Sequence, residues 1–203
     1  MANECSVTMY IVGNRKEITA LHQKIKEWLS KAYGLSPVYK GLVYILKGAE
    51  LSETDYPYRG YIADMNEPSP TENENWEFQI DYESAWSPCN AFWQAVLDKV
   101  APHCKMYWYG EEEGCGYYKT NDKDRLYFDW DYVVVTQELK ETNPFSEVFS
   151  SDDYLYLTEK ELRDKLVVLF GDRPMMELME KANVLALADN ESVQIHKVTF
   201  VDE

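Results

Sequence analysis

The sequence predicts an α+β fold, and three observations carry that expectation. Trp76, Phe78, Ile80 and Tyr82 alternate with Glu77, Gln79, Asp81 and Glu83, the period-two pattern of a half-buried strand. Ile18, Leu21, Ile25, Trp28 and Leu29 recur at helical spacing. Segments of these two kinds follow one another in the order strand, helix, strand, strand, helix, strand.

The first strand is set by Cys5, Val7, Met9 and Ile11 alternating with Ser6, Thr8 and Tyr10, and Gly13 ends it. Asn14 with Glu17 forms an N-cap and acidic N3 pair for the helix that follows, and Gly34 is its expected stop. Leu42 to Leu46 reads as a short strand or a helix turn. Tyr58 to Asp64 reads as a second strand, and the Pro-, Glu- and Asn-rich stretch 66–75 as a polar loop. After the Trp76–Glu83 strand, Ser87 is placed to cap a helix and Pro88 suits its first position, where no amide donor is needed. Phe92, Trp93, Val96, Leu97 and Val100 form that helix's apolar stripe, and Pro102 closes it.

Cys104, Met106 and Trp108 begin the next strand, opposed by Lys105, Tyr107 and Tyr109. Glu111 to Gly116 is a turn, and Tyr117 to Lys119 extends the pairing as a hairpin. Leu126, Phe128, Trp130 and Tyr132 alternate with Tyr127, Asp129 and Asp131, predicting a further strand to Val135. This order is that of a ferredoxin-like βαββαβ sandwich with an extra β-hairpin strand. Residues 1–135 make this domain. Residues 136–203 form a C-terminal α/β extension, expected to dock on it. The extension holds a polar connector (137–153), a Thr158/Glu161 capping box ahead of one helix, a Met-rich helix from Arg173 to Asn183 and a last strand from Val193 to Val201.

Charge narrows the function classes. The net charge is −16, yet residues 1–50 hold seven Lys/Arg against four Asp/Glu, so the remaining 153 residues carry −19. An acidic surface repels phosphate backbones and anionic lipid, so neither direct nucleic-acid binding nor membrane binding is expected. A basic protein is the partner such a surface suits, although acidity also serves simply to keep a chain dissolved. The first apolar run, Val7–Val12, is short and follows Glu4 rather than basic residues, which reads as a cytoplasmic chain. The cysteines Cys5, Cys89, Cys104 and Cys115 form no C-x-x-C pair, and disulfides are not expected.

Two function classes follow. The first is a non-enzymatic interaction module. If both helices cover one side of the sheet, the other side presents Ser6, Thr8, Tyr10, Glu77, Gln79, Asp81, Lys105, Tyr107 and Tyr109. Tyr10, Tyr107, Tyr109, Glu111, Glu112 and Glu113 are its candidate binding residues, with Trp86 as a hydrophobic staple or a stacking surface. The second is a metal-dependent hydrolase in which Glu111–Glu113 and Asp129–Asp131 gather oxygen ligands. No His or Lys is paired with these carboxylates as an acid–base partner, and no nucleotide-loop, zinc or nucleophile motif occurs. No cofactor and no metal are therefore assigned.

Three stretches also carry a resemblance. Met1 to Ser6 opens a strand ending at Gly13; Ala85-Trp86-Ser87-Pro88 forms a strand-to-helix junction; Tyr109-Gly110-Glu111-Glu112-Glu113-Gly114-Cys115-Gly116-Tyr117 forms an acidic Gly-rich turn. Their order and spacing resemble the YubB-like family over residues 1–135. Glu4, the long 35–75 segment and the tail after 136 depart from it. The resemblance implies a ferredoxin-like domain of the kind met on plasmids, phages and other mobile elements. It implies no activity. Such an origin would suit an acidic protein that occupies a DNA-binding surface by imitating phosphate charge.

Overall fold

The computed structural model describes residues 4–31, 41–56, 58–188 and 192–202. It is α+β and divides into two compact units, Met1–Lys123 with Val201–Glu203, and Asp124–Phe200.

In the first unit, β1 (Glu4–Gly13) leads into α1 (Arg15–Ser30) and α2 (Leu42–Gly48). Then come β2 (Gly60–Met65), the two-residue β3 (Ser69–Pro70) and β4 (Trp76–Ala85). α3 (Asn90–Val100), β5 (Lys105–Glu112) and β6 (Tyr117–Thr120) complete it. The strands lie in the order β6-β5-β1-β4-β2, each antiparallel to its neighbour, with β3 beside β4.

One face of this sheet is apolar because the alternation in β1, β4 and β5 is in register. Val7 pairs with Tyr82 and Gly110, Met9 with Ile80 and Trp108, and Ile11 with Phe78 and Met106. These side chains share a single core with Ile18, Leu21 and Ile25 of α1, Leu42 and Ile45 of α2, and Phe92, Trp93 and Val96 of α3. Both principal helices therefore cover the same face, and the polar residues of each strand are left on the other.

The Asn14 cap forms as expected, accepting from the Glu17 N–H at 3.0 Å while its amide donates to the Glu17 carboxylate. Gly34, the expected helix stop, lies outside the described residues. The 42–46 ambiguity resolves as helix α2. The polar loop 66–75 supplies β3.

The junction after β4 departs from expectation. Ser87 and Pro88 do not cap α3: β4 runs on to Ala85, Trp86 takes a left-handed φ of 72°, and α3 starts at Asn90 behind Cys89, which makes no side-chain cap. Pro88 instead packs where Gly110 leaves room, since a Cβ on Gly110 would meet the proline ring. The hydroxyl of Ser84 donates to the Ser87 carbonyl at 2.8 Å and fixes the bend. Trp86 consequently occupies no staple position; its side chain is half exposed.

The second unit contains β7 (Tyr132–Thr136), β8 (Tyr154–Leu157), α4 (Glu159–Phe170), α5 (Met175–Ala188), β9 (Val193–Lys197) and β10 (Thr199–Phe200). β7 is the central strand of a three-stranded sheet and pairs antiparallel with β8 and β9. The unit has its own core, built from Tyr132, Val134, Phe145, Leu162, Leu166, Leu178, Ala182 and Val193.

The strand expected from Leu126 shrinks to Tyr132–Thr136. The alternating aromatics before it form a ring cluster rather than a strand face. Phe128 meets Trp130 edge-on at 5.4 Å, and Trp130 lies 4.7 Å from Tyr156. Arg125 holds this segment through the Asp129 carbonyl and the Asp131 carboxylate. The Thr158/Glu161 capping box is present, and Gly171 ends α4 at φ 75°. The Met-rich helix runs to Ala188; Met175 and Met179 pack on the core while Met176 is exposed. Among the described residues no helix is long and apolar enough to cross a membrane.

Candidate functional site

The three stretches that stand far apart in sequence meet at one end of the first unit's sheet. Glu4 at the start of β1 pairs with Ala85, next to the Trp86 bend. Ser6 pairs with Glu83 on one side and with Glu111, at the head of the acidic turn, on the other. Pro88 rests against Gly110. Beneath this corner Cys5 and Cys89 are buried, and burial pushes their thiols up to about 12 and about 11. They are inert core groups there, because a thiolate would be desolvated.

The polar face of the sheet is laid out in rows. In the first, Tyr61, Glu83, Ser6, Glu111 and Tyr118 lie side by side across five strands. In the second, Asp64, Asp81, Thr8, Tyr109 and Thr120 do the same. Gln79, Tyr10 and Tyr107 form the third, and Glu77, Val12 and Lys105 the fourth. Hydroxyls are spaced between the carboxylates. Ser6 donates to both oxygens of Glu83 at 3.0 Å, Thr8 to Asp81 at 2.8 Å, and Tyr109 to Glu111 at 2.8 Å. The Gln79 amide donates to Asp81.

These bonds hold the carboxylates in fixed positions without cancelling their charge. Burial raises the Glu83 carboxyl above its usual range, Ser6 opposes the shift, and the charges of Glu4 and Glu111 add to it. Tyr10 is raised too, by burial first and then by Asp81 and Glu77. Like charges are thus crowded along β4, at Glu77, Asp81 and Glu83, and flanked by Asp64 of β2 and Glu111 of β5, and Lys105 is the one cation on the four rows. The face is partly open over β1 and β4 and closes toward β6, where Tyr109, Tyr118 and Thr120 are buried.

The expected site residues separate into groups. Tyr10, Tyr107, Tyr109 and Glu111 share the polar face. Glu112 does not. It points to the core side, is 5% exposed, and accepts from the N–H groups of Gly114 and Cys115 to cap a single turn of 3₁₀ helix at Glu113–Cys115. Glu113 is exposed in that turn. Trp86 stands at the corner, half exposed.

Asp129 and Asp131 belong to the second unit. There Asp131 is engaged by Arg125 and by the Glu159 backbone N–H, which hold its carboxyl below the usual range against the opposing effect of burial. Among the described residues no three His, Cys, Asp or Glu side chains come together in a way that could hold a metal ion. Cys115, the exposed thiol, carries no bond to another cysteine. Sequence reasoning missed Asp64, Glu83 and Ser84. Glu83 was legible as an outward strand position; Asp64 was hidden by a bulge in β2 between Ile62 and Asp64.

Comparison of the chain with protein-family models, with curated proteins and with solved structures gives no match.

Proposed function

We propose that this chain is a cytoplasmic, non-enzymatic interaction module whose acidic, tyrosine-bearing sheet face takes a basic protein. The observation that carries the reading is the crowding of Glu83 and Glu111 on either side of Ser6. Their charges reinforce one another on a partly buried face, and burial together with this repulsion raises the Glu83 carboxyl. An arginine or lysine laid across the rows would relieve that repulsion and find acceptors already held by Ser6, Thr8 and Tyr109. The half-exposed Trp86 at the same corner adds an aromatic surface on a backbone that costs energy to hold.

The sheet order β5-β1-β4-β2, crossed by α1 and α3 on one face, supports reading the first unit as ferredoxin-like with β6 as the added hairpin strand. The meeting of the three sequence stretches at one corner supports grouping the chain with the YubB-like proteins of mobile elements. On this reading a basic nucleic-acid-binding protein is the partner, its DNA surface occupied by the rows of carboxylates.

The test is calorimetric titration of a basic nucleic-acid-binding protein into the full chain. Binding should weaken at least a hundredfold between about 50 mM and about 300 mM salt, as expected when several ion pairs form. It should be lost in the combined variant Asp81→Asn, Glu83→Gln, Glu111→Gln. Affinity indifferent to salt, or retained by that variant, rejects the reading.

A further inference from the structure

On the opposite, helix-covered side of the same sheet the cover is incomplete. α3 lies over the centre, and β6 extends the sheet beyond it. A groove of about 340 Å³ remains, floored by Met106, Trp108 and Tyr117, walled by Asn90 and Gln94 of α3, and edged by Lys119 and Val201. It runs on into a second hollow of about 410 Å³ that shares Gln94, Met106 and Val201 and reaches Lys123. Together they have the volume that a small organic ligand occupies.

Two independent features make this more than a surface dip. Trp108 is 2% exposed, lines the groove, and its indole N–H has no hydrogen-bond partner among the described residues. A buried donor without an acceptor is unfavourable, and a ligand oxygen or a bridging water at the floor would supply one. The second feature is charge. In a chain of net −16 the two hollows are lined by Lys119 in the first and by Lys105 and Lys123 in the second, against the one carboxylate of Asp202, which lines both. Lys123 is paired with Asp202. Lys119 has no carboxylate partner among the described residues, and its ammonium sits 4.7 Å above the Tyr117 ring. A cation held over an aromatic floor favours a ligand that is both flat and anionic.

We propose that the groove between α3 and β6 binds a small aromatic carboxylate, its ring on Met106 and its carboxylate shared between Lys119 and the Trp108 indole N–H. The binding floor does not depend on the carboxylates of the acidic face, because Met106, Trp108 and Tyr117 lie on the other side of the sheet; the two faces approach one another only where the second hollow reaches Tyr107 and Lys105. A basic partner and an aromatic acid would bind together.

The experiment is NMR titration of the full chain with 2-naphthoate, following the Trp108 indole N–H resonance identified by its absence in Trp108→Phe. Naphthoate should shift that resonance with a submillimolar dissociation constant. Lys119→Glu should weaken naphthoate at least tenfold while leaving neutral 2-naphthalenemethanol unchanged. Gln94→Trp, at an exposed α3 position, should fill the groove and abolish both. No shift of the Trp108 resonance, equal affinity for the acid and the alcohol, or naphthoate binding that survives both substitutions would each overturn the proposal.

Discussion

Glu112 accepts the backbone N–H groups of Gly114 at 3.0 Å and Cys115 at 2.6 Å from a position that is only 5% exposed. One carboxylate thus organises the turn that follows β5 and fixes the start of β6. Glu111, its neighbour, faces the other way and belongs to the polar rows.

Replacing Glu112 with Ala should leave two N–H groups of the turn without their acceptor. A loss of about 1–3 kcal/mol is expected, and Glu112→Gln, which keeps one acceptor, should lose less. Urea denaturation of both variants against the parent decides it; equal stability for all three would mean the turn is held by something else.

His22 gives an acid-side prediction. It is 4% exposed on α1, its Nε2 has no partner among the described residues, and its ring lies edge-on to Phe78 at 5.2 Å. Burial lowers its pKa below the usual value, with Lys26 in support and Glu67 in opposition. Its folded pKa lies below its unfolded one, so the unfolded chain binds the extra proton more readily. Stability is therefore complete above about pH 6.5 and falls as the pH drops through and below that value. His22→Gln should flatten the stability curve between pH 7 and 5 relative to the parent.

Glu83 runs in the opposite sense. Its raised carboxyl holds a proton more tightly in the folded chain, so this residue opposes folding as the pH rises past the ordinary glutamate range. Glu83→Gln keeps an acceptor for Ser6 and removes the repulsion from Glu4 and Glu111. It should be at least as stable as the parent at neutral pH and lose that advantage in acid, as read by thermal unfolding at pH 7 and pH 4. A variant clearly less stable at pH 7 would show that the Ser6 bond outweighs the crowding.

Packing supplies a fourth prediction. A Cβ on Gly48, at the end of α2, would overlap the indole of Trp28, which is 7% exposed against α1's core side. Gly48→Ala should cost about 1–3 kcal/mol despite the better helix propensity of alanine. A stabilised variant would show that Trp28 has room to move.

Much of the first unit could be read directly from the chain. β1, β4 and β5 alternate cleanly because each has one face on the core, and the Asn14 and Thr158 caps are short-range signals that tertiary packing did not override. Ser87-Pro88 misled because the same two residues that start many helices here close a bend, at a place where Gly110 admits the proline ring. Leu126 to Trp130 alternate without forming a strand because the Phe128 and Trp130 rings pack edge-on against each other and Trp130 packs tilted on Tyr156. β8 was missed because Tyr154–Leu157 is four residues long and gains its identity only by pairing with β7. Of the site, the outward carboxylates were visible as a pattern. The rows they form depend on register between distant strands, and the Trp108 groove depends on where α3 stops covering the sheet.

The most direct test of the acidic face is a map of backbone amide shifts on adding an arginine-rich peptide to the full chain. The proposal predicts perturbations concentrated at Ser6, Thr8, Tyr10, Asp81, Glu83 and Glu111, fading as salt is raised. Perturbations that leave these residues untouched and gather elsewhere would contradict it.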